Sequence, residues 1–299
     1  MGFFGGSNLG AELLQFFFSG LTVGAVYALV ALGFTLIYNA SGVINFAQGE
    51  FVMLGGMSTV FLAAAGLPMP VAAIAAVVIT VLIGLLLWAL AIETARGATA
   101  VTLIIITIGA SIFLRGATEV VFDKQFHALP PISGDTPVRV GGAAVLPQTF
   151  WVLGGAVATV VLLWGFLERT VTGKALLATA ANRMAAKLVG INTALIVGLS
   201  FGVSAGIGAL AGILVTPITL TSYDVGTLLA LKGFAAAMLG GMGNPLGAVV
   251  GGLLVGLIEA FGAGLISSPY EDAFAFLVIL AVLSFMPAGL FGRRAMERV

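Results

Sequence analysis

The chain has 299 residues, of which 60% are hydrophobic and only 8% are charged, whereas about 25% of the residues in an ordinary soluble domain are charged. This composition excludes a soluble globular protein and indicates an integral membrane protein. Lys plus Arg and Asp plus Glu balance at 12 each, which gives no reason to expect a nucleic-acid partner, and the lack of Cys excludes disulfides and thiolate metal sites.

Apolar segments recur along the whole chain. Because a helix needs about 20 apolar residues to cross a bilayer, we expect an all-α polytopic membrane bundle of about 8–9 spans. We expect residues 1–299 to form a single transmembrane domain. The segment 226–242 is short and contains Lys232, so it either crosses fully or enters the membrane and turns back. The eight clearer spans are 13–38, 44–66, 70–92, 99–122, 149–167, 193–216, 245–265 and 273–291.

The stretch 42–56 places three polar side chains, Asn45, Gln48 and Glu50, inside an otherwise apolar segment. A carboxylate at membrane depth persists only where it faces protein or a water-filled path. The glycines of this stretch allow an interruption of the helix, which is tolerated in the membrane where the backbone is buried in protein or lines a cavity. We interpret the stretch as the wall of a translocation path. The alternative is a polar, Gly-rich packing face between helices.

Five charged residues fall within the predicted spans. Glu50 and Lys232 have no partner on their own segments, so we expect them to pair across the two halves of the chain, within about 4 Å. Arg115 and Glu119 are four residues apart and are expected to pair on one helix. Glu259, near the outer end of its span, is expected to snorkel toward the membrane surface.

The distribution of basic residues predicts the orientation of the chain. The connection 168–192 and the tail 293–299 are both rich in Lys and Arg, so both belong in the cytoplasm. The loop 123–148 has balanced charge and is expected outside. Counting the membrane crossings back from this loop places the amino end outside. An outside amino end and a cytoplasmic tail require an odd number of crossings, which is nine if 226–242 crosses. The cations of the connection are Arg169, Lys174, Arg183 and Lys187, against the single acid Glu168.

The cytoplasmic connection is Ala-rich and predicts a short helix between Gly173 and Gly190. Such a helix, with a few apolar anchors and cationic flanks, is suited to docking into a groove on a partner protein. The alternative is an amphipathic helix that lies on the lipid surface. The apolar stripe is expected to consist of Leu176, Leu177, Met184 and Leu188.

A pentapeptide occurs twice, at 53–57 and at 238–242, with the sequence Met-Leu-Gly-Gly-Met. Each copy lies in the second apolar segment after a segment rich in Gly and Ala. With nine crossings the two copies run in opposite directions, which is the arrangement of an inverted repeat with interrupted helices. The alternative is a chance recurrence in a chain with 42 Gly residues.

No group of residues in the sequence supports catalysis or a metal site. His127 is the one His, and it lies in the polar loop without a second His or a Cys. A phosphate-binding loop is absent as well, because Gly173-Lys174 is followed by Ala175 instead of Ser or Thr. We therefore expect no enzymatic activity and no cofactor in this chain.

Five stretches in order resemble one family. The stretches are 20–29, 42–56, 178–192, 234–252 and 286–290, and the likeness covers nearly the whole chain. They resemble the permease subunits of bacterial branched-chain amino-acid ABC importers, the LivH-like family. The resemblance implies a multi-pass permease in the bacterial inner (plasma) membrane.

The resemblance also implies partners and a mechanism. The partners are a second permease that is similar or identical, two cytoplasmic ATPases that bind ATP, and an extracytoplasmic substrate-binding protein. Transport of branched-chain amino acids would proceed by alternating access. The alternatives are a permease for urea, short amides or another small neutral solute, and an ion-coupled secondary transporter in which Glu50 is the coupling carboxylate.

Two sets of residues are candidates for these roles. The candidate translocation-path residues are Tyr27, Asn45, Gln48, Glu50 and Lys232. The candidate residues for coupling to the ATPase are Gly173, Lys174, Ala180, Asn182, Ala185, Gly190 and Asn192. Some relatives have His in place of Gln48, which argues against a proton-carrying role at that position.

Overall fold

The computed structural model of the protein describes residues 9–95, 97–266 and 271–292. Within these ranges the chain is mostly helical, as the sequence predicts, with one short antiparallel hairpin of β1 (Val138–Val140) and β2 (Ala143–Val145). The helices are α1 (Leu9–Ser41), α2 (Gln48–Ala64), α3 (Met69–Leu87, continued by a π-helical turn, Trp88–Ile92), α4 (Ala100–Val121), α5 (Pro147–Arg169), α6 (Val171–Ala181), α7 (Arg183–Leu188), α8 (Thr193–Thr219), α9 (Val225–Gly240), α10 (Pro245–Leu265) and α11 (Glu271–Phe285).

Six of the described helices are long and apolar enough to cross a membrane, namely α1, α3 with its π turn, α4, α5, α8 and α10. All nine predicted segments contain an apolar helix, but α2, α9 and α11 have only 17, 16 and 15 residues. At a rise of 1.5 Å per residue, the 16 residues of α9 extend about 24 Å, less than the roughly 30 Å of a hydrocarbon core. The segment 226–242, for which the sequence left two alternatives open, thus forms one of the three predicted spans whose helices are short, α2, α9 and α11.

Contacts at the helix ends define two ends of the bundle. At one end, the backbone N–H of Ala144 in the hairpin donates to Gln15 Oε1 of α1 at 3.1 Å. His127 and Thr221 form an isolated antiparallel bridge near this loop. At the other end, a cavity of about 950 Å³ lies among the last turns of α1 and α3, the first turns of α4 and α8, and α7. The loop 123–148 and the connection 168–192 thus lie at opposite ends, as their predicted orientation requires. The basic tail 293–299 lies outside the described residues.

Helix α1 forms the centre of the bundle, and its residues are buried almost continuously from Gly20 to Ile37. It packs along α10 and also against α8 and α9. The two backbones approach closely because α10 has glycines at the contact. A Cβ on Gly256 would overlap Gly24 of α1, and a Cβ on Gly252 would overlap Ala28. Close backbone packing of this kind holds membrane helices together where lipid removes the hydrophobic driving force.

The two halves of the chain pack reciprocally. Helix α1 is followed by an irregular break, 42–47, and by α2, whereas α8 is followed by the break 220–224 and by α9. Helix α1 packs against α9 and α10, and α8 packs against α2 and α3. Gly56 faces Thr221, and Gly49 faces Gly226, so α2 and α9 run antiparallel. This arrangement supports the inverted-repeat interpretation.

Candidate functional site

The break between α1 and α2 is held by hydrogen bonds within the protein. Gly42 ends α1 with φ of +73°, a conformation that favours glycine. Asn45 Oδ1 accepts from the backbone N–H of Ala47 at 3.2 Å, and the backbone N–H of Phe46 donates to Thr107 Oγ1 of α4 at 3.2 Å. Irregular backbone is tolerated at membrane depth when its polar groups are satisfied in this way. The break therefore carries Asn45 into the buried interior, where it is fully buried.

Gln48 joins three helices at the start of α2. Its Nε2 donates to the Ser204 carbonyl of α8 at 3.3 Å, and its Oε1 accepts from Ser204 Oγ at 2.6 Å. On the other side, a Cβ on Gly33 of α1 would overlap the Gln48 amide. Both ends of the amide are thus satisfied by protein. This geometry supports a packing role for Gln48 more than contact with a transported solute.

Glu50 lies at the seam of α2, α4 and α9. Its Oε1 accepts from Ser111 Oγ of α4 at 2.8 Å. Its Oε2 is buried and has no hydrogen-bond partner among the described residues. A Cβ on Gly226, at the start of α9, would lie only 2.6 Å from this oxygen. Buried polar atoms are normally hydrogen-bonded, so this oxygen is a candidate contact for a polar group in the path. Asn45 Nδ2 is a second buried atom without a hydrogen bond in the described part of the chain.

The predicted ion pair between Glu50 and Lys232 is wrong. Lys232 Nζ instead donates to Glu259 Oε1 of α10 at 2.7 Å, and Tyr27 OH of α1 donates to the same oxygen at 2.9 Å. Glu259 is only 3% exposed, so the expectation that it snorkels is wrong as well. Glu50 contacts α9 at Gly226, six residues or about 9 Å along the helix from Lys232. The path candidates Tyr27 and Lys232 are therefore brought together with Glu259, apart from Glu50.

The expected pairing of Arg115 with Glu119 is also replaced by other contacts. Arg115 Nη1 donates to Thr227 Oγ1 of α9 at 2.9 Å. Glu119 instead forms an ion pair with Lys124 at 2.6 Å, in the loop that follows α4. A tertiary partner on α9 thus competes successfully with the local i, i+4 partner. Arg115 and Ser111 both connect α4 to the region where α2 meets α9.

The connection 168–192 forms two helices, not the single helix predicted. Asn182 separates α6 from α7 with extended backbone angles, φ of −158° and ψ of 102°, and its Oδ1 accepts from the Ala185 N–H at 3.0 Å. Asn is a favoured N-cap because its side chain satisfies such a donor. Gly173 lies inside α6 and not at its boundary. A larger residue at this position would overlap the Phe166 carbonyl of α5. Gly190 follows α7 with φ of +90°.

The surface of this connection faces away from the bundle. The predicted apolar stripe divides, because Leu176 is buried against the bundle whereas Met184 and Leu188 are 71% and 81% exposed. Exposed apolar side chains grouped on one surface are typical of a contact with another protein or with lipid. All but one of the predicted coupling residues are exposed as well: Lys174, Ala180, Asn182, Ala185, Gly190 and Asn192. Gly173 is the buried exception.

Sequence reasoning missed Glu259, Ser111 and Thr227 as members of these polar contacts. Ser and Thr are common in membrane helices, so they gave no signal. Glu259 did give one, because an acidic residue in an apolar, Gly-rich helix is costly unless it has a partner. The sequence does not show that α9 and α10 are neighbours, so it does not identify Lys232 as the partner of Glu259.

Comparisons with known proteins identify the family. The model of the family described as "Branched-chain amino acid transport system / permease component" matches residues 16–283. The chain is 35% identical to the high-affinity branched-chain amino acid transport system permease protein BraD of Pseudomonas aeruginosa, over 96% of this chain and 98% of that protein. It is 32% identical to the permease protein LivH of the corresponding Escherichia coli K12 system, over 96% and 97%. It is 28% identical to the ribose import permease protein RbsC of Haemophilus influenzae, over 87% and 81%. The chain therefore belongs to the family of branched-chain amino acid transport system permease components.

Proposed function

We propose that this chain is the permease subunit of an ATP-driven importer that carries branched-chain amino acids across the bacterial inner membrane. The observation that carries the proposal is the 35% identity to the BraD permease over almost the full length of both chains. The ribose permease is a more distant relative at 28%. A second permease, two cytoplasmic ATPases and an external binding protein complete the importer.

The break 42–47 and the seam around Glu50 form the centre of the proposed path. Two short antiparallel helices, α2 and α9, cross there at Gly49 and Gly226, and each follows an irregular break. Interrupted helices that meet in this way place backbone and side-chain polar groups at membrane depth, where a solute passes. Asn45 and Glu50 supply the polar side chains. Gln48 holds α1, α2 and α8 in register behind them.

The connection of α6 and α7 couples this path to ATP hydrolysis. Its exposed residues, from Lys174 to Asn192, dock into a groove on one ATPase. Closure of the ATPases moves the connection and rocks the helices around the path, so that it opens alternately to each side. Helix α6 transmits the movement to α5, against which Gly173 packs closely.

Uptake by a reconstituted importer tests the proposal. The permease is purified with its partners, placed in liposomes that contain ATP and supplied with its binding protein and radiolabelled leucine, isoleucine or valine. Accumulation that requires ATP hydrolysis is expected for all three amino acids. Accumulation of ribose or urea in their place would overturn the assignment of branched-chain amino acids as substrates. Leucine uptake driven by an ion gradient without ATP would overturn the assignment as an ATP-driven importer.

A further inference from the structure

The cavity of about 950 Å³ at the end of the bundle that carries α7 has an apolar wall and a basic wall. Its volume lies near the top of the roughly 300–1,000 Å³ range of small-molecule sites, and is far larger than one inorganic ion needs. The basic wall is α7, which contributes Arg183 and Lys187. Glu93 also lines the cavity, so the described lining carries two positive charges against one negative charge. The apolar wall comes from the spans and from the break after α1: Val43, Ile92, Leu103 and Val197.

The two cations of the basic wall are available to an anion. Arg183 and Lys187 are four residues apart, so they lie on one face of α7, about one helical turn from each other. Both residues are exposed, and neither forms an ion pair within the part of the chain that the structure describes. Ala185, a predicted coupling residue on the same helix, does not line the cavity. An anion held between α7 and the spans therefore leaves the surface around Ala185 open to the ATPase.

The position of the cavity along the bundle corresponds to the headgroup layer of a bilayer. Two membrane-spanning segments end at it, because α3 with its π turn ends at Ile92 and α4 begins at Ala100. Within α4 only Thr107 and Thr118 are buried, so the helix that forms one side of the cavity faces lipid along most of its length. The spans end where hydrocarbon gives way to headgroups. Since the connection 168–192 is expected in the cytoplasm, the leaflet beside the cavity is the inner one.

We propose that this cavity binds the headgroup of an anionic phospholipid of the inner leaflet, with Arg183 and Lys187 as counter-ions of its phosphate. Basic pockets at the cytoplasmic ends of membrane helices are suited to such headgroups. The two side chains have only donors and the phosphate oxygens have only acceptors, so the hydrogen bonds between them are charge-assisted. The glycerol and the first acyl carbons lie against the apolar wall. An acidic segment of the ATPase would match the cations but would leave that wall without an apolar partner.

The experiment titrates phosphatidylglycerol onto the detergent-purified permease with its copurified ATPases, and native mass spectrometry gives the dissociation constant of the first bound lipid. One variant combines Arg183→Gln with Lys187→Gln. Because each Lys or Arg near anionic lipid contributes about fivefold in affinity, we expect this variant to bind about 25-fold more weakly. A second variant, Ala98→Trp, places an indole in the cavity without changing its charge, and it should also lose affinity. Phosphatidylcholine, which has the same phosphate but no net charge, should bind wild type more weakly than phosphatidylglycerol does.

The matched control combines Arg169→Gln with Lys174→Gln, which removes two cations of the same connection that do not line the cavity. Its affinity for phosphatidylglycerol should equal that of wild type. Equal dissociation constants for wild type and both cavity variants would overturn the inference, and so would displacement of the lipid by inorganic phosphate. Loss of the ATPases from the variant of Arg183 and Lys187, with lipid binding unchanged, would assign the cavity to an acidic segment of the ATPase instead. Normal ATP-driven leucine uptake with any of these results would leave the proposed function standing.

Discussion

Glu50 is the residue on which the proposed path depends most. Replacing Glu50 by Ala removes the acceptor for Ser111 and the buried oxygen beside Gly226. We expect uptake of leucine to fall by at least about tenfold, since a hydrogen bond to a charged group is worth more than a neutral one. Abundance in the membrane should not change. The matched control is Glu12→Ala, which changes an exposed carboxylate in the first turn of α1. Normal uptake by the Glu50 variant would remove this residue from the path.

Gly49 lies where the backbones of α2 and α9 cross closely. A Cβ there would overlap the Gly226 carbonyl of α9, whereas a Cβ on Gly116 of α4 would meet nothing within 4 Å. Gly49→Ala should therefore destabilise the protein by about 1–3 kcal/mol, while Gly116→Ala should be neutral or stabilising by up to about 1 kcal/mol. Thermal unfolding midpoints in detergent measure both effects. Equal midpoints for the two variants would contradict the close crossing of α2 and α9.

The polar residues of the break could be predicted from the sequence, but their partners could not. Asn45, Gln48 and Glu50 stand out because they interrupt an apolar segment, and all three are buried in the structure. The partner of Gln48, Ser204, lies 156 residues away in the sequence, and the partner of Glu50, Ser111, lies 61 residues away. Nothing in local spacing indicates which helices will be neighbours. For the same reason the sequence predicts an ion pair between Lys232 and Glu50, whereas Lys232 pairs with Glu259 in the structure.

The positions of the apolar helices are predictable from the sequence, whereas their lengths are less so. Hydropathy places every apolar helix correctly, including the short α9. The Ala-rich run around Asn182 predicts a single helix, whereas the structure has two, α6 and α7. Asn caps the start of a helix better than it continues one, since its side chain competes for backbone donors. That preference was the available signal.

We expect the connection formed by α6 and α7 to contact the ATPase directly. Replacing Ala180 or Ala185, which are both exposed, by Glu should prevent close approach to an ATPase groove without disturbing the spans. The ATPase should no longer copurify with the permease, and transport should fall with it. A helix that only lies on lipid would behave differently: the ATPase would still copurify with both Ala variants, and removal of Arg169, Lys174, Arg183 and Lys187 would do the damage. A pull-down with the two sets of variants separates these outcomes.

Orientation is a property of the whole molecule and can be tested directly because the chain has no Cys. Single cysteines at Asp135 and at Lys187, both exposed and at opposite ends of the bundle, give an unambiguous label. A membrane-impermeant maleimide should react with Asp135→Cys in intact cells and with Lys187→Cys only after the membrane is opened. The reverse pattern would invert the topology, and labelling of both sites in intact cells would rule out their placement on opposite sides.

The bond between Lys232 and Glu259 also has a consequence for biosynthesis. Lys232 leaves the ribosome 27 residues before the carboxylate that pairs with it. Because α9 has only 16 residues and carries Lys232 at its middle, we expect it to partition poorly from the translocon into lipid on its own. We therefore expect α9 and α10 to enter the bilayer together, as one helical hairpin, once α10 has been synthesised. In nascent chains stalled before Glu259 emerges, a single cysteine introduced into α9 should react with a membrane-impermeant maleimide, whereas in chains stalled after it the same cysteine should be protected.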